Sequence, residues 1–481
     1  MKPRFVLAGI LVVLAAVMQI GALPLLDEES YLDMARQLDF SRPYDWWRPW
    51  QPWGHEQPDD AYLFAHPPGH LWWIAAVGGT SLAARLFAVL PFAALLGFSA
   101  GALSERYGGW MGVLLFATSP ILWLSLQAGM LPDLPVAALG TAAVAAWVWR
   151  KPVWAGLALA AAASWKYPAL VLVLVFAIDG WRDRRALLRL LGAFALPWLG
   201  LQLYLAFQYG EPHLWHVLST APEIGRGPIG GRALGTLFRL GLACPPAWLG
   251  PVTVASLLGG GLALVPEADG RWILVVLGVL GAALLLRVLE GLLRPRRAPE
   301  RLLAIWVLLV LASVVLGHNY AGGRYLLPAV LPLALLVGAR LPRPAAILAL
   351  PFGALALSMV LAERAHAQAS GEIAEMVSHH APARFTGEWT FRHAMTEDGH
   401  TFWSPGEPLS SGDVLIVPTH SSPAPIPEGL VPIDEVHSTT AGSFRLVDLE
   451  VGIGYHAETL GPLPLGFGEG PRESARVYRA P

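Results

Sequence analysis

Apolar residues run in long blocks over the first three quarters of this chain, and polar residues gather in the short stretches between them. Residues 5–25, 82–103, 110–129, 187–207 and 302–316 reach or approach the roughly 17–25 residues that a helix needs to cross a bilayer. Blocks at 134–149, 153–165, 170–181, 325–337 and 345–361 are also apolar. Residues 234–293 are interrupted by Pro245, Pro246 and Pro266, and read either as one span plus a re-entrant piece or as three crossings, with three favoured. The pattern predicts about 11–13 spans, with 13 favoured. Lys2 and Arg4, the WRDRRALLR stretch from Trp181 and the RPRRAPER stretch from Arg294 mark the cytoplasmic side, because basic loops stay inside.

The pattern breaks in two places. Residues 26–81 form a first outer loop, with three consecutive acids at Asp27, Glu28 and Glu29, dense Trp and Pro, and an HPPGH turn at 66–70. Within it, Tyr31, Met34, Ala35 and Leu38 have helical spacing, which predicts a short amphipathic helix lying along the membrane. A second such segment follows at 71–76. From residue 363 onward, charged residues, His, Pro and β-prone runs (413–418 and 444–451) replace apolar helices. The expected fold is mainly α: a polytopic transmembrane helical bundle over 1–362, with a small α/β outer-side domain over 363–481. No fixed-period repeat and no pair of related halves is evident.

Composition strengthens this reading. Of 481 residues, 55% are hydrophobic and 14% charged, with a mean hydropathy of +0.50; soluble domains carry about 25% charged residues. A net charge of −2 offers no electrostatic footprint for nucleic acid. The single cysteine, Cys244, has no intramolecular disulfide partner. The N-terminal apolar run is longer than a signal-peptide core and lacks an A-x-A site, so it reads as an uncleaved first helix with a cytoplasmic N-terminus.

Under this topology Asp27, Glu28, Glu29, His66, Asp133, Lys166 and Arg324 all lie at outer-facing ends or loops. Charges at a membrane edge are costly and tend to be functional. Acids and bases on one face suit a site that handles an anionic group beside a carboxylate. A lipid-linked phosphate fits, with Lys166, Arg324 and His66 as its ligands and a carboxylate as proton acceptor. Structural roles compete with each assignment. Glu28 and Glu29 suit a first helical turn, Asp133 an N-cap, and Lys166 and Arg324 snorkelling to the interface. The tryptophans read as interface anchors. Asp27, Asp133 and His66 would serve a divalent metal if the fold gathers them; His379 and His380 are a weaker metal signal.

The DEESYLDMARQL stretch from Asp27 resembles the first outer loop of the C-type membrane glycosyltransferases, closest to the protein O-mannosyltransferase and aminoarabinose-transferase superfamily (family 39-like). HPPGHLWW, ARLFAVLP, MLPDLPVAA, WKYPALVLV and GRYLLPAVLPLALL match in the same order over roughly residues 1–340. In the tail, GEWTFRHAM and GDVLIVP resemble bacterial members of the same group. The resemblance implies a polyprenyl-phosphate sugar donor and single-displacement inversion, with Asp27 as general base and Glu28 following it. It places Asp133 as a second acid, His66 near the donor phosphate, and Lys166 and Arg324 at positions suited to that phosphate. Glu29 is an additional acid, and Gly69-His70 replaces the usual apolar and aromatic residues, which leaves sugar and acceptor open. The acceptor would be a lipid, glycan or protein at the outer face of a bacterial inner membrane. A transporter of lipid-linked sugar would instead show charges near the bilayer midplane and related halves. A non-catalytic envelope scaffold would not need Asp27.

Overall fold

The computed structural model describes residues 2–44, 66–79, 81–107, 109–220, 227–244, 271–295, 298–341, 346–347, 349–440 and 442–481. Among the described residues, four helices are long and apolar enough to cross a membrane: Leu82–Tyr107, Arg184–Tyr209, Trp272–Leu293 and Glu300–Gly317. Gly109–Ala117 and Pro120–Gln127 make a fifth span if counted together; they are bent by 53°. The bend follows from Pro120, which lacks an N–H and holds Ser119 in extended backbone. Pro3–Gln19, Asp133–Val148, Pro152–Ala163, Tyr167–Gly180 and Gly323–Gly338 are apolar but shorter. Of the three crossings expected at 234–293, Trp272–Leu293 is one of the long spans above, and residues 245–270 lie outside the described residues. So do residues 45–65 of the Trp-rich loop.

Small residues set how closely the helices approach. A side chain at Gly97 or Gly101 would run into the backbone of the first helix at Ala8 and Arg4. Four-residue spacing of small residues gives such contact where lipid supplies no hydrophobic drive. Arg4 and Glu105 close the end of the pair with an ion pair.

The helix Ala349–Val377 is apolar in its first half and continues unbroken through residues 362 and 363. Its last turns carry Ile373, Ala374 and Val377 into a core with Phe385, Phe391, Met395, Ile416 and Val477. The strands there are β1 (Arg384–Phe385), β2 (Thr401–Phe402), β3 (Val414–Pro418), β4 (Val431–His437), β5 (Phe444–Arg445), β6 (Val447–Asp448), β7 (Ile453–Gly454), β8 (Gly466–Phe467) and β9 (Ser474–Arg479). Five form one sheet, ordered β2-β1-β3-β9-β4. β1 runs parallel to β2 and β3, and β9 runs antiparallel to β3 and β4. The helix Trp389–Glu397 joins β1 to β2.

This C-terminal region is fastened to the bundle. Thr390 Oγ1 donates to the Pro24 carbonyl at 2.6 Å. Buried Arg239 donates to the Tyr455 carbonyl at 3.0 Å and to that of Gly454. Glu458 accepts from the Ala321 amide. The segment 453–459 therefore lies against the turn that leads into Gly323–Gly338.

Candidate active site

Four separate stretches deliver the central charges, each at a break in helical backbone. Asp27 precedes the helix Glu28–Arg36. Just before it, Leu26 sits at φ 52°, a left-handed conformation that costs a side-chain-bearing residue about 1–2 kcal/mol. Strain of this kind persists only where the surroundings enforce it, and it gathers at functional sites. Asp133 is the first residue of Asp133–Val148, where the helix dipole favours an acid. Lys166 is extended, at φ −160°, between the end of Pro152–Ala163 and the 3₁₀ turn Tyr167–Leu170. Arg324 lies in the 3₁₀ turn Gly323–Leu326.

These residues meet. Lys166 Nζ donates to Asp133 Oδ1 at 2.8 Å, and Arg324 Nη2 donates to Asp27 Oδ2 at 2.8 Å. Arg324 Nε also lies 3.9 Å from Asp133 Oδ2, so the guanidinium links both acids. Asp27, Asp133 and Lys166 are 6%, 8% and 4% exposed. Two acids and two bases balance, and removing any one would leave an uncompensated buried charge.

Aromatic and polar groups ring the cluster. The hydroxyls of Tyr320 and Tyr325 lie 3.3 Å from Arg324 Nη2 and 2.8 Å from each other. Lys166 sits over the Tyr325 ring, 4.6 Å from its centroid, and His318 stacks on that ring. Buried Tyr31 stacks with His66 and meets His70 edge-on. Both ring nitrogens of buried His70 lack a hydrogen-bond partner among the described residues. The turn itself needs its glycines: a methyl on Gly323 would overlap the Tyr455 ring, and one on Gly322 the His456 carbonyl.

The other expected residues go elsewhere or stand at the edge. Glu28 is fully buried and turned away from Asp27. Its Oε2 accepts from Arg85 Nη2 at 3.0 Å and from the Leu25 amide at 2.9 Å, and its Oε1 accepts from the Met130 amide at 2.9 Å. Arg85 is in turn held by Gln19 at 2.9 Å. Glu29 faces the C-terminal region: Oε1 lies 3.1 Å from Arg36 Nη1, and Oε2 lies 2.8 Å from His393 Nδ1. Burial raises the Glu29 carboxyl, but His393 and Arg36 outweigh it and hold it below the ordinary carboxylate range. His66 stands at the rim, its carbonyl accepting from Tyr44 Oη at 2.8 Å.

Several partners of the cluster carry little sequence signal. Tyr31, Arg85 and Tyr325 lie inside the motifs quoted above, whose patterns give them no part in the site. The signal for Arg85 was a charge within an apolar block. Tyr320, His318 and Tyr455 carry no local signal.

The cluster does not fit a divalent metal as arranged. Asp27 and Asp133 are already charge-compensated by Arg324 and Lys166, which a cation would have to displace. Among the described residues, two groups have ligand-like spacing: His379, His380 and Asp434, and His420, Asp448 and Glu450. Both lie in the C-terminal region and include none of the central residues.

No family model matches the chain, and no curated protein does. Similar solved structures include ArnT from Cupriavidus metallidurans bound to undecaprenyl phosphate, with 16% identity, coverage of 86% of this chain and 92% of that one, and a TM-score of 0.39. The apo form of the same protein has 14% identity, the same coverage and a TM-score of 0.35. At these values the likeness assigns no role to any residue.

Proposed function

We propose that this chain is a multi-pass membrane glycosyltransferase of the C type, moving a sugar from a polyprenyl-phosphate donor to an acceptor at the membrane surface. The observation that carries this reading is the buried, charge-balanced group Asp27–Arg324–Asp133–Lys166, assembled from the stretches whose motifs resemble that family. Lys166 and Arg324 supply the cations a donor phosphate needs, and Asp27, 2.8 Å from Arg324 Nη2, is the general base in this reading.

In the proposed reaction, donor phosphate oxygens compete with the carboxylates for Arg324 and Lys166. That competition loosens Asp27 from the guanidinium and leaves an oxygen able to accept a proton. An acceptor hydroxyl or amine gives its proton to Asp27 as its heteroatom attacks the anomeric carbon. The bond from that carbon to the phosphate oxygen breaks, and polyprenyl phosphate leaves with the electron pair, its charge met by Lys166 and Arg324. The anomeric centre inverts. Asp133 holds Lys166 in place, and Glu28 fixes the helix start that aims Asp27.

The test is transfer of labelled sugar from polyprenyl-phosphate donors in membranes containing wild type or Asp27→Asn, with lipid, glycan and protein fractions counted. Label entering one fraction with wild type only supports the reading and identifies the acceptor class. Equal transfer by both removes Asp27 as base. No transfer from any donor by well-folded wild type overturns the reading.

A further inference from the structure

A small cavity opens beside the charged cluster, lined by Asp133 and Arg324 together with Glu363, Tyr455 and His456. It has room for about one water or one hydroxyl. The last three residues come from outside the cluster. Glu363 belongs to the long helix Ala349–Val377, and Tyr455 and His456 belong to the segment that presses on Gly322 and Gly323. His456 Nε2 lies 3.2 Å from Glu363 Oε2, and both residues are buried. With Nε2–H given to the carboxylate, Nδ1 is left as an acceptor, a tautomer assigned from that contact. His456 Nδ1 and Tyr455 Oη are both buried without a hydrogen-bond partner among the described residues. Buried polar groups are rarely left unmatched, because each costs desolvation without return.

We propose that Glu363, Tyr455 and His456 form a subsite for a carbohydrate hydroxyl, placed by the C-terminal region next to the reacting groups. A hydroxyl both donates and accepts, so it meets His456 Nδ1 as donor and Tyr455 Oη as acceptor. Arg324 lines the same cavity and holds Asp27, so a sugar hydroxyl seated there sits within one residue of the proposed base. This inference rests on the glycosyltransferase reading. It adds that the C-terminal region takes part in sugar recognition. The hydroxyl can come from the donor sugar or from the acceptor.

The experiment uses the full chain in lipid nanodiscs. Binding of bare polyprenyl phosphate, and of polyprenyl phosphate carrying glucose, mannose or arabinose, is measured for wild type, Tyr455→Phe and Glu363→Gln. Transfer to the acceptor fraction is followed in parallel. If the donor sugar fills the subsite, both variants lose about three- to tenfold in affinity for the preferred sugar lipid and nothing for the bare lipid. If the acceptor fills it, lipid binding is unchanged and the KM for acceptor rises by a similar factor. Either result supports the subsite. Unchanged sugar preference together with unchanged acceptor KM overturns it, and the cavity then holds only a structural water. An equal loss for bare and sugar-bearing lipid also overturns it, since that pattern reports general damage. Tyr455→Phe keeps the ring against Gly323, so a folded variant is expected even if Glu363→Gln is unstable. Wild type that binds no lipid and transfers nothing defeats the glycosyltransferase reading and the subsite together, whereas normal wild-type behaviour with indifferent variants defeats the subsite alone.

Discussion

Two clusters in this protein each contain two acids and two bases, yet they differ in everything except charge count. In one, Arg340 Nη2 lies 2.7 Å from Glu300 Oε2, Arg340 also pairs with Glu290, and Arg287 stands 3.6 Å from both acids while donating to the Leu336 carbonyl at 2.8 Å. Its members ride on or just beyond regular helices, and they tie together the ends of Arg271–Leu293, Ala298–Gly317 and Leu327–Gly338. The other is the Asp27–Arg324–Asp133–Lys166 group. Its members sit where helices break, beside strained Leu26, among tyrosines and histidines, and against a cavity. Charge count alone does not separate a staple from a site. Irregular backbone and space for a ligand do.

The largest test of that contrast sets Asp27→Asn against Glu300→Gln. Asp27→Asn is expected to lower the transfer rate of the folded fraction by about 10²–10⁴, beyond the stability it loses by leaving Arg324 without its carboxylate. Glu300→Gln is expected to lower stability by about 3 kcal/mol or more while the folded fraction keeps near-normal kcat. Initial rates and thermal unfolding in the same detergent measure both. The contrast collapses if Glu300→Gln abolishes transfer at unchanged stability.

A second comparison lies within one helical turn. Glu28→Ala would leave Arg85 buried without its carboxylate, at a cost of about 3–5 kcal/mol. Unfolding monitored by tryptophan fluorescence reads this. A variant as stable as wild type but inactive would instead move Glu28 into the chemistry.

Gly323→Ala forces a methyl into the Tyr455 ring. Overpacking of this kind costs about 1–3 kcal/mol, and the displaced turn carries Arg324. Donor KM is expected to rise more than kcat falls; an unchanged KM with normal stability would show that the segment 453–459 yields freely.

The smallest effect concerns Glu29. Its carboxyl is held below the ordinary value of 4.5 by His393 and Arg36. A lowered folded-state pKa means that its contribution is fully present above about pH 4.5 and is lost as pH falls through the lower folded value. Wild-type stability should decline in that acid window, and Glu29→Gln should flatten the decline. An unaltered slope in the variant would separate this contact from the fastening of the C-terminal region.

Much of this architecture was legible in the chain. The apolar blocks became helices, the spacing after Asp27 became Glu28–Arg36, and the β-prone run at 413–418 became β3, because each depends on periodicity within a few residues. The change in composition near residue 363 was also legible. That one helix would carry the chain through this change unbroken was not, since Ala, Glu, His and Gln continue a helix as readily as apolar residues do.

The site divides the same way. That Asp27, Asp133, Lys166 and Arg324 lie at the ends of apolar blocks could be read directly, because charge is excluded from the interior of a span. Which acid meets which cation could not: Arg324 and Asp27 stand 297 positions apart, and only helix packing brings them within 2.8 Å. Nor could the sequence separate Asp27 from Glu28 and Glu29. Consecutive residues at a helix start point roughly 100° apart, so one faces Arg324, one Arg85 and one His393. That choice belongs to the tertiary structure. A charge in low dielectric must find its opposite at contact distance, and only the packed fold decides which opposite is within reach.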